Sequence, residues 1–481
     1  MDASVRNLHR DRGTGGLLAF ALLGVPLAAV FLPLGVYLPP FYAQTMGLGL
    51  QTAGLVFMAS RIWNAVCDPV VGLLSDHTRS RFGRRKPWIA AGSIVFTAGV
   101  IAVYWPSRGG MSALHLVAAL FALYLGWTMV GTPLAAWASE RSSDYHERSR
   151  VQAYVQTGTA AGMMLTLLLP ALLDQVSTHS PYETIAVMGG FALVTFVPSV
   201  LLLLLFVREP ACPRMEADIS IAHSLRCFAT SPLILRVMAS DFCVASGQAV
   251  RGALFVFFVS AYMGLPKWAS LLFFLQFVFG VFAAPIWLRV GYRIGKHRTV
   301  VAGEITQIVI NLGLLFIAPG DFWPLLGLTV AQGLAQGSGN LMLRAMVSDI
   351  ADDHRLKTGR EQSGLLFSIF NVTNNTAAAA AVGVAYPLIA WLGFVPGHVN
   401  SHAALAGLAV LFALGPATGH ALSALFVWRF PLDERRHGEL RSALAMREGA
   451  NPVHRVIRAS VDGKETEGRH RAGAVVSQTP A

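Results

Sequence analysis

The sequence predicts an all-α membrane protein in which twelve transmembrane helices form two pseudo-symmetric six-helix bundles. Three observations predict it. Hydrophobic residues fill 54% of the 481 positions and charged residues 13%, whereas a soluble domain carries about 25% charged residues. Twelve stretches are apolar enough, for long enough, to cross a hydrocarbon core that takes about 20 helical residues to span. The loops after the second and fourth stretches recur, in kind, after the eighth and tenth.

Residues 1–16 are polar, carry Arg6, Arg10 and Arg12, and are expected to form a cytoplasmic N-terminus. The apolar stretch that follows runs on into others like it, so it reads as an uncleaved first span. Spans at 17–43, 51–75, 88–105, 112–138, 151–173 and 184–206 make an N-terminal bundle over 17–206. A polar cytoplasmic linker covers 207–233. Spans at 234–263, 268–288, 299–318, 322–347, 363–392 and 403–428 make a C-terminal bundle over 234–430. Residues 431–481 are polar and mixed in charge, and are expected to be a largely disordered cytoplasmic tail beyond a short helix near 433–447. Pro26, Pro33, Pro170, Pro198 and Pro285 fall inside spans, where neighbouring helices can satisfy the freed backbone groups.

With both termini inside, all but four of the 37 Lys and Arg residues fall at the cytoplasmic side; Arg108 and Lys267 lie in outer loops, Arg61 and Arg251 within spans. The net charge of +11 is therefore a topology signal, placing a multi-pass chain in the cytoplasmic (inner) membrane. Nucleic acid is not an expected partner, since it needs a basic stripe on a soluble face. Cys67, Cys212, Cys227 and Cys243 show no metal spacing, and neither a disulfide nor a metal site is expected. No phosphate loop or nucleophile elbow is present, and "QGSGN" at 336–340 lacks the full spacing of an intramembrane serine protease. An enzyme is not expected.

The recurring loops are "SDHTRSRFGRRKPW" (75–88) with "RVGYRIGKHRTV" (289–300), and "SSDYHERSRVQAY" (142–154) with "SDIADDHRLKTGREQSG" (348–364). Paired six-helix halves are what secondary transporters use to alternate access around a central site. The blocks at 68–88, 131–150, 293–298 and 348–368 resemble the major facilitator superfamily and, more narrowly, the glycoside–pentoside–hexuronide:cation symporters, over about residues 17–430. The resemblance implies a major facilitator fold that moves a sugar-like solute with a cation, H⁺ or Na⁺. It implies no resident cofactor; the partners would be the solute, the ion and the bilayer, and a monomer is expected. Where such symporters carry two acids one turn apart on helix 2, this chain has Asn64 and Asp68. Their polar residue of helix 4, arginine of helix 5 and lysine of helix 11 fall on Gly131, Gln156 and Asn375.

Asp68 lies about 12 Å of helix rise from Asp76, where the span ends. A carboxyl inside a span is a functional candidate by default, and one short of water can hold and release a proton. Arg61, Asn64, Asp68 and Gly72 share one helix face. Asp68 with Asn64 is thus the candidate coupling site, with protons favoured because a single carboxylate remains; the alternative is a structural hydrogen-bonder beside Pro69. Arg251, three residues after Gln248, offers a fork suited to an anionic solute, or else pairs with Asp241 or Glu304. Gln332 and Gln336 with Asn340 on helix 10, and Asn371 and Asn375 on helix 11, suit a hydroxyl-rich solute; interhelical bonding is the alternative. Gln156 and Tyr37 complete the candidate binding set. Asp76, Arg79, Arg84, Arg85, Arg148, Asp349 and Arg360 are expected to clamp the halves at the cytoplasmic face through pairs that part on opening. An anionic or amphiphilic cargo (a uronide, a carboxylate, a lysolipid), or a non-transporting sensor or assembly factor, remain the other readings.

Overall fold

A computed structural model describes residues 14–107, 112–140, 145–176, 180–207, 209, 231–358, 363–431 and 439. The chain before residue 14, most of the linker and nearly all of the tail, with its expected helix near 433–447, lie outside the described residues. Twelve long helices are described: α1 (Thr14–Val36), α2 (Leu50–His77), α3 (Lys86–Tyr104), α4 (Ala113–Glu140), α5 (Tyr145–Val176), α6 (Pro181–Phe206), α7 (Pro232–Phe257), α8 (Ala269–Ile294), α9 (Lys296–Gly313), α10 (Phe322–Thr358), α11 (Ser363–Trp391) and α12 (His402–Val427).

The first six pack with one another and the last six repeat the pattern. Helix α1 lies against α5 and α6, α2 against α4, and α3 against α4 and α6; in the second half α7 lies against α11 and α12, α8 against α10, and α9 against α10 and α12. The halves meet through α2 with α11 and α8 with α5, contacts that the pseudo-two-fold relation exchanges. Among the described residues nine of the twelve helices are long and apolar enough to cross a membrane by length and composition. The other three, α2, α10 and α11, are those that bring Arg61, Asn64, Asp68, Gln332, Gln336, Asn340 and the α11 asparagines into the bundle.

Close helix approach explains several small residues. A Cβ on Gly99 of α3 would stand 2.5 Å from the Leu123 Cα of α4, so a larger residue would push the helices apart. Three interior tyrosines, Tyr42, Tyr104 and Tyr386, hand their hydroxyls to backbone on other helices. Tyr42 donates to Val103 O (2.7 Å), and Tyr386 to Ala253 O (3.1 Å), which removes the cost of burying them.

Expected spans 17–43 and 234–263 run straight through, but the chain changes pitch before each ends. A five-residue π turn follows each, Phe41–Thr45 after α1 and a short helical piece at Leu38–Pro40, and Phe258–Tyr262 directly after α7. Met46 N donates to Phe41 O and Met263 N to Phe258 O. Gly47 and Gly264 then turn out with φ of +72° and +69°, where a side chain would be strained.

Loops 78–85 and 295 and the start of α1 share one end, here the basic end. At the opposite, far end the halves are in contact. Gly54 of α2 packs on Tyr386 of α11, Gly383 on Met58, and Gly397 on Gln44; Gln175 Nε2 donates to Lys267 O.

Candidate functional site

Between the halves, below that far-end seal, lies a cavity of about 380 Å³. Its N-terminal wall includes Phe31, Gly35 and Arg61, and its C-terminal wall Gln248, Gln276, Gln336 and Asn340. It shares Phe277, Gln336 and Asn340 with a second space of about 350 Å³ along α8 and α10. That vestibule continues to Arg344, and α10 runs toward the basic end in that direction. The described conformation is sealed at the far end and extends toward the basic end.

The amides of the C-terminal wall bond loosely to one another. Asn340 Nδ2 donates to Gln248 Oε1 at 3.3 Å, and Gln276 Nε2 to Gln336 Oε1 at 3.4 Å. Such bonds sit at the long edge of the range, so each amide can turn to a hydroxyl-bearing guest at little cost.

Beside the cavity, α2 and α4 build the second part of the site. Thr128 Oγ1 lies 3.0 Å from Asn64 Oδ1 and 2.9 Å from Asp68 Oδ1. Thr128 and Asn64 are buried, while Asp68 is partly exposed. A hydroxyl has one hydrogen to give, so the three side chains have two complete arrangements. With Asp68 ionised, Thr128 donates to the carboxylate and the Asn64 amide, turned about, donates to Thr128. With Asp68 protonated, its O–H donates to Thr128, which donates to the Asn64 oxygen. Amide orientation is assigned from the network, and here both orientations are useful. The triad accommodates a carboxyl that gains and loses a proton without stranding a buried partner.

The sequence-derived candidates divide. Gln248 and Gln336 line the cavity. Asp68 and Asn64 are brought together, with Thr128 as the member the sequence did not single out. Gln156 is exposed on α5, seven residues before the cavity-lining Met163, hence on the same face nearer the basic end. Tyr37 stands edge-on to Phe273 at 6.5 Å, above the cavity. Asn371 and Asn375 are on neither wall; it is Asn374 that reaches across, to Asp241 Oδ2 at 3.4 Å.

Two substrate candidates are corrected. Arg251 is 4% exposed and turns away from the cavity into the C-terminal bundle, where Nη1 donates to Asn311 Oδ1 at 2.7 Å and the guanidinium covers the Phe412 ring at 4.9 Å. Its described partner is Asn311, in place of the expected Asp241 or Glu304. Gln332 is buried too, donating to Gln307 Oε1; each i, i+4 step drifts about 40° around a helix, so Gln332 has left the face of Gln336 and Asn340. Both belong to a polar seam inside the C-terminal half, completed by Glu304 paired with His420, two fully buried side chains from α9 and α12. Nothing had marked His420 beyond its being an ionisable residue in the middle of an apolar span.

Of the expected clamp, the described pairs lie within one half or the other. Arg85 pairs with Asp76 (2.5 Å) and donates to Ser75 Oγ (2.8 Å), and Lys296 pairs with Asp349 (2.7 Å). Each of these ties residues of one half, so as described they brace the halves separately. Glu209, a linker residue not anticipated, accepts from the backbone N–H groups of Arg84, Arg85 and Lys86 at the start of α3, where a helix favours an anion. Gly83 makes this possible: its φ is +107°, and a Cβ there would collide with the Glu209 carboxylate. Arg79 is exposed. Arg360 and the side chain of Arg148 lie outside the described residues.

Comparison with known proteins agrees with this architecture. The profile of the family described as MFS/sugar transport protein matches residues 19–434. The chain is 21% identical to the glucuronide carrier protein homolog of Escherichia coli K12, over 84% of this chain and 90% of that one. It is 24% identical to the putative glycoside/cation symporter YagG of the same organism, over 82% and 87%. Among solved structures, a D-xylose-proton symporter superposes with a TM-score of 0.62 at 15% identity, covering 86% of this chain and 96% of that one.

Proposed function

The chain belongs to the MFS/sugar transport protein family, and on that premise we propose that it is a proton-coupled symporter of a sugar-like solute, working by alternating access. The observation that carries the reading is the triad of Asp68, Thr128 and Asn64 beside a cavity sealed at one end. Relatives named as symporters support coupled transport; the single carboxylate and its reversible hydrogen-bond arrangement favour H⁺ over Na⁺.

In the cycle, Asp68 takes up a proton while the cavity faces the far side. The solute binds against the amides of the C-terminal wall. The contacts of α2 with α11 and of α5 with α8 then form at the far end, and the vestibule opens toward the basic end. The loaded and empty carriers must differ in their interactions in the two states for this to be driven. The basic end faces the cytoplasm, following the bias of Lys and Arg, so both termini are cytoplasmic and the chain resides in the cytoplasmic membrane. One chain holds both halves and the whole cavity, so a monomer suffices.

Reconstitution tests this. In proteoliposomes an imposed pH gradient, acid outside, should drive solute uptake with no Na⁺ present. Uptake that follows a Na⁺ gradient and ignores pH would replace the proton by sodium. Indifference to both would remove coupling altogether.

A further inference from the structure

We propose that Glu304 and His420 form a second proton-binding site, separate from Asp68, through which acid on the vestibule side holds the carrier in its described conformation. This rests on the alternating-access reading above and adds to it a control by protons.

The N-terminal half shows that the fold does not require the pair. The matching π turns set Phe41 opposite Phe258, so Leu34 of α1 matches Arg251 of α7. Gly92 of α3 packs on Met129 of α4 as Gly303 of α9 packs on Ser338 of α10. In that register Phe96, Val100 and Leu123 match Gln307, Asn311 and Gln332, and Ser93 matches Glu304. Leu34, Phe96, Val100 and Leu123 are each no more than 1% exposed, so apolar packing closes the same place in the first half. The second half instead buries Arg251, Glu304, Gln307, Asn311, Gln332 and His420. Ionisable residues inside a span are costly and mark function by default.

The pair is incompletely satisfied. His420 Nδ1 meets Glu304 Oε2, and both side chains are fully buried. Glu304 Oε1 is buried with no hydrogen-bond partner. It points at α10, where a Cβ on Gly339 would stand 2.6 Å from it. An ionised carboxylate has room for several donors, and this one leaves an oxygen bare. A proton taken up by the pair removes that charge, whichever side chain keeps it. Gly337 and Asn340, to either side of Gly339, line the vestibule. The thickness of α10 therefore separates the pair from the space that extends toward the basic end.

The surrounding charges set the direction of the effect. Cys243 of α7 is within electrostatic reach of Glu304. Arg251, on the same helix, is held by Asn311 of α9, seven residues from Glu304 or about 10 Å of rise. Asp241, also of α7, takes a long bond from Asn374 of α11 and has Arg344 of α10 within electrostatic reach, so those two charges offset one another. Arg289 and Arg293 of α8 and Arg298 of α9 are exposed toward the basic end, and Lys296 is paired with Asp349. With Glu304 ionised, its charge offsets that of Arg251 inside the half. With a proton on the pair, Arg251 is left uncompensated, which a dry interior tolerates badly. Water in an open vestibule relieves that cost, and closing the vestibule drives the water out. A protonated pair therefore favours the state sealed at the far end and open at the basic end. A carrier that brings in protons is thus slowed as protons accumulate behind it.

The test needs no solute. Leu32, which lines the cavity, is changed to cysteine (Leu32→Cys) in an Asp68→Asn background. The protein in proteoliposomes is labelled by an impermeant maleimide from the far side. The outside stays at one pH while the lumen is set between about pH 5 and pH 8, the span over which imidazole titrates. An acid lumen should slow labelling by about fivefold or more, the low end of coupling between two sites. Glu304→Gln, a carboxyl copied without its charge, should be slow at every lumen pH. Should it not fold, Glu304→Ala with His420→Leu takes its place, and its rate should no longer follow the lumen. The proposal is overturned if labelling of the Asp68→Asn carrier ignores lumen pH, or if acid speeds it. It is also overturned if the Glu304 variants keep the dependence, as a histidine in a basic-end loop would make them do. Each of those outcomes leaves symport through Asp68 standing. If acid does hold the carrier, yet imposed pH gradients move no solute through the unaltered protein, the proton site stands and the transport reading falls.

Discussion

Arg251, a solute-ligand candidate, lies buried in the C-terminal half on Asn311, and Asn311→Leu separates a structural from a solute-binding role. The bond lost is that from Nη1 to Asn311 Oδ1, 2.7 Å long, on an arginine that is 4% exposed and whose Nε already lacks a partner. Neutral interhelical hydrogen bonds in membrane proteins average about 0.6 kcal/mol. A bond to an ionised group is worth about 1.5–3 kcal/mol, and the upper part of that range applies when the charge cannot turn to water. Asn311→Leu should therefore cost about 2–3 kcal/mol of stability. The pair change Arg251→Met with Asn311→Leu removes the charge along with its partner, and should be less destabilised than Asn311→Leu alone. Reversible unfolding in mixed micelles measures the stabilities, and uptake by proteoliposomes measures function. The solute's KM should stay near that of the unaltered protein in every variant that folds. If Asn311→Leu leaves stability unchanged and raises KM, the guanidinium serves the solute and its assignment to the bundle interior is wrong.

Other perturbations have equally definite outcomes. Thr128→Val keeps the shape of α4 but removes the hydroxyl between Asn64 and Asp68; the solute accumulated per unit pH gradient should fall, and an unchanged ratio would show that the triad is idle. Glu304→Ala strands the buried His420 and should destabilise by about 3 kcal/mol, while Glu304→Ala with His420→Leu should recover part of it; unfolding curves that rank the variants otherwise contradict the pairing. Gly83→Ala sets a side chain at φ +107° against the Glu209 carboxylate; the backbone strain should cost about 1–3 kcal/mol in any background, and a Glu209→Ala background should remove only the added cost of the clash. Gly54→Val drives a branched side chain into Tyr386 and the backbone of α11; it should favour the state open at the far end, so that a cysteine introduced at Leu32 is alkylated faster by an impermeant maleimide added from that side.

Much of this protein was legible because the bilayer constrains sequence so strongly. Segment length and loop charge sufficed for the helices and the two halves, since an unpaired backbone cannot cross lipid. Asp68 stood out as a charge in an apolar run. What a charge in a span does not disclose is its direction. Helix α7 is packed on its bundle and also faces the cavity, and the three residues from Gln248 to Arg251 turn about 60° off one another, enough to separate cavity from interior. The π turns that follow α1 and α7 look like ordinary apolar helix; the repeated Met-Gly-Leu at 46–48 and 263–265 was the available signal. Glu209 gave none, because one acid in a polar linker is unremarkable until it is found capping α3.

The most direct test of the coupling mechanism is the steady-state solute gradient that Asp68→Asn sustains in proteoliposomes under an imposed pH gradient, measured beside solute exchange at equilibrium. The account predicts that exchange persists, since the cavity is intact, while the gradient collapses to equilibration. Asp68→Asn vesicles that concentrate solute as well as the unaltered protein would contradict it.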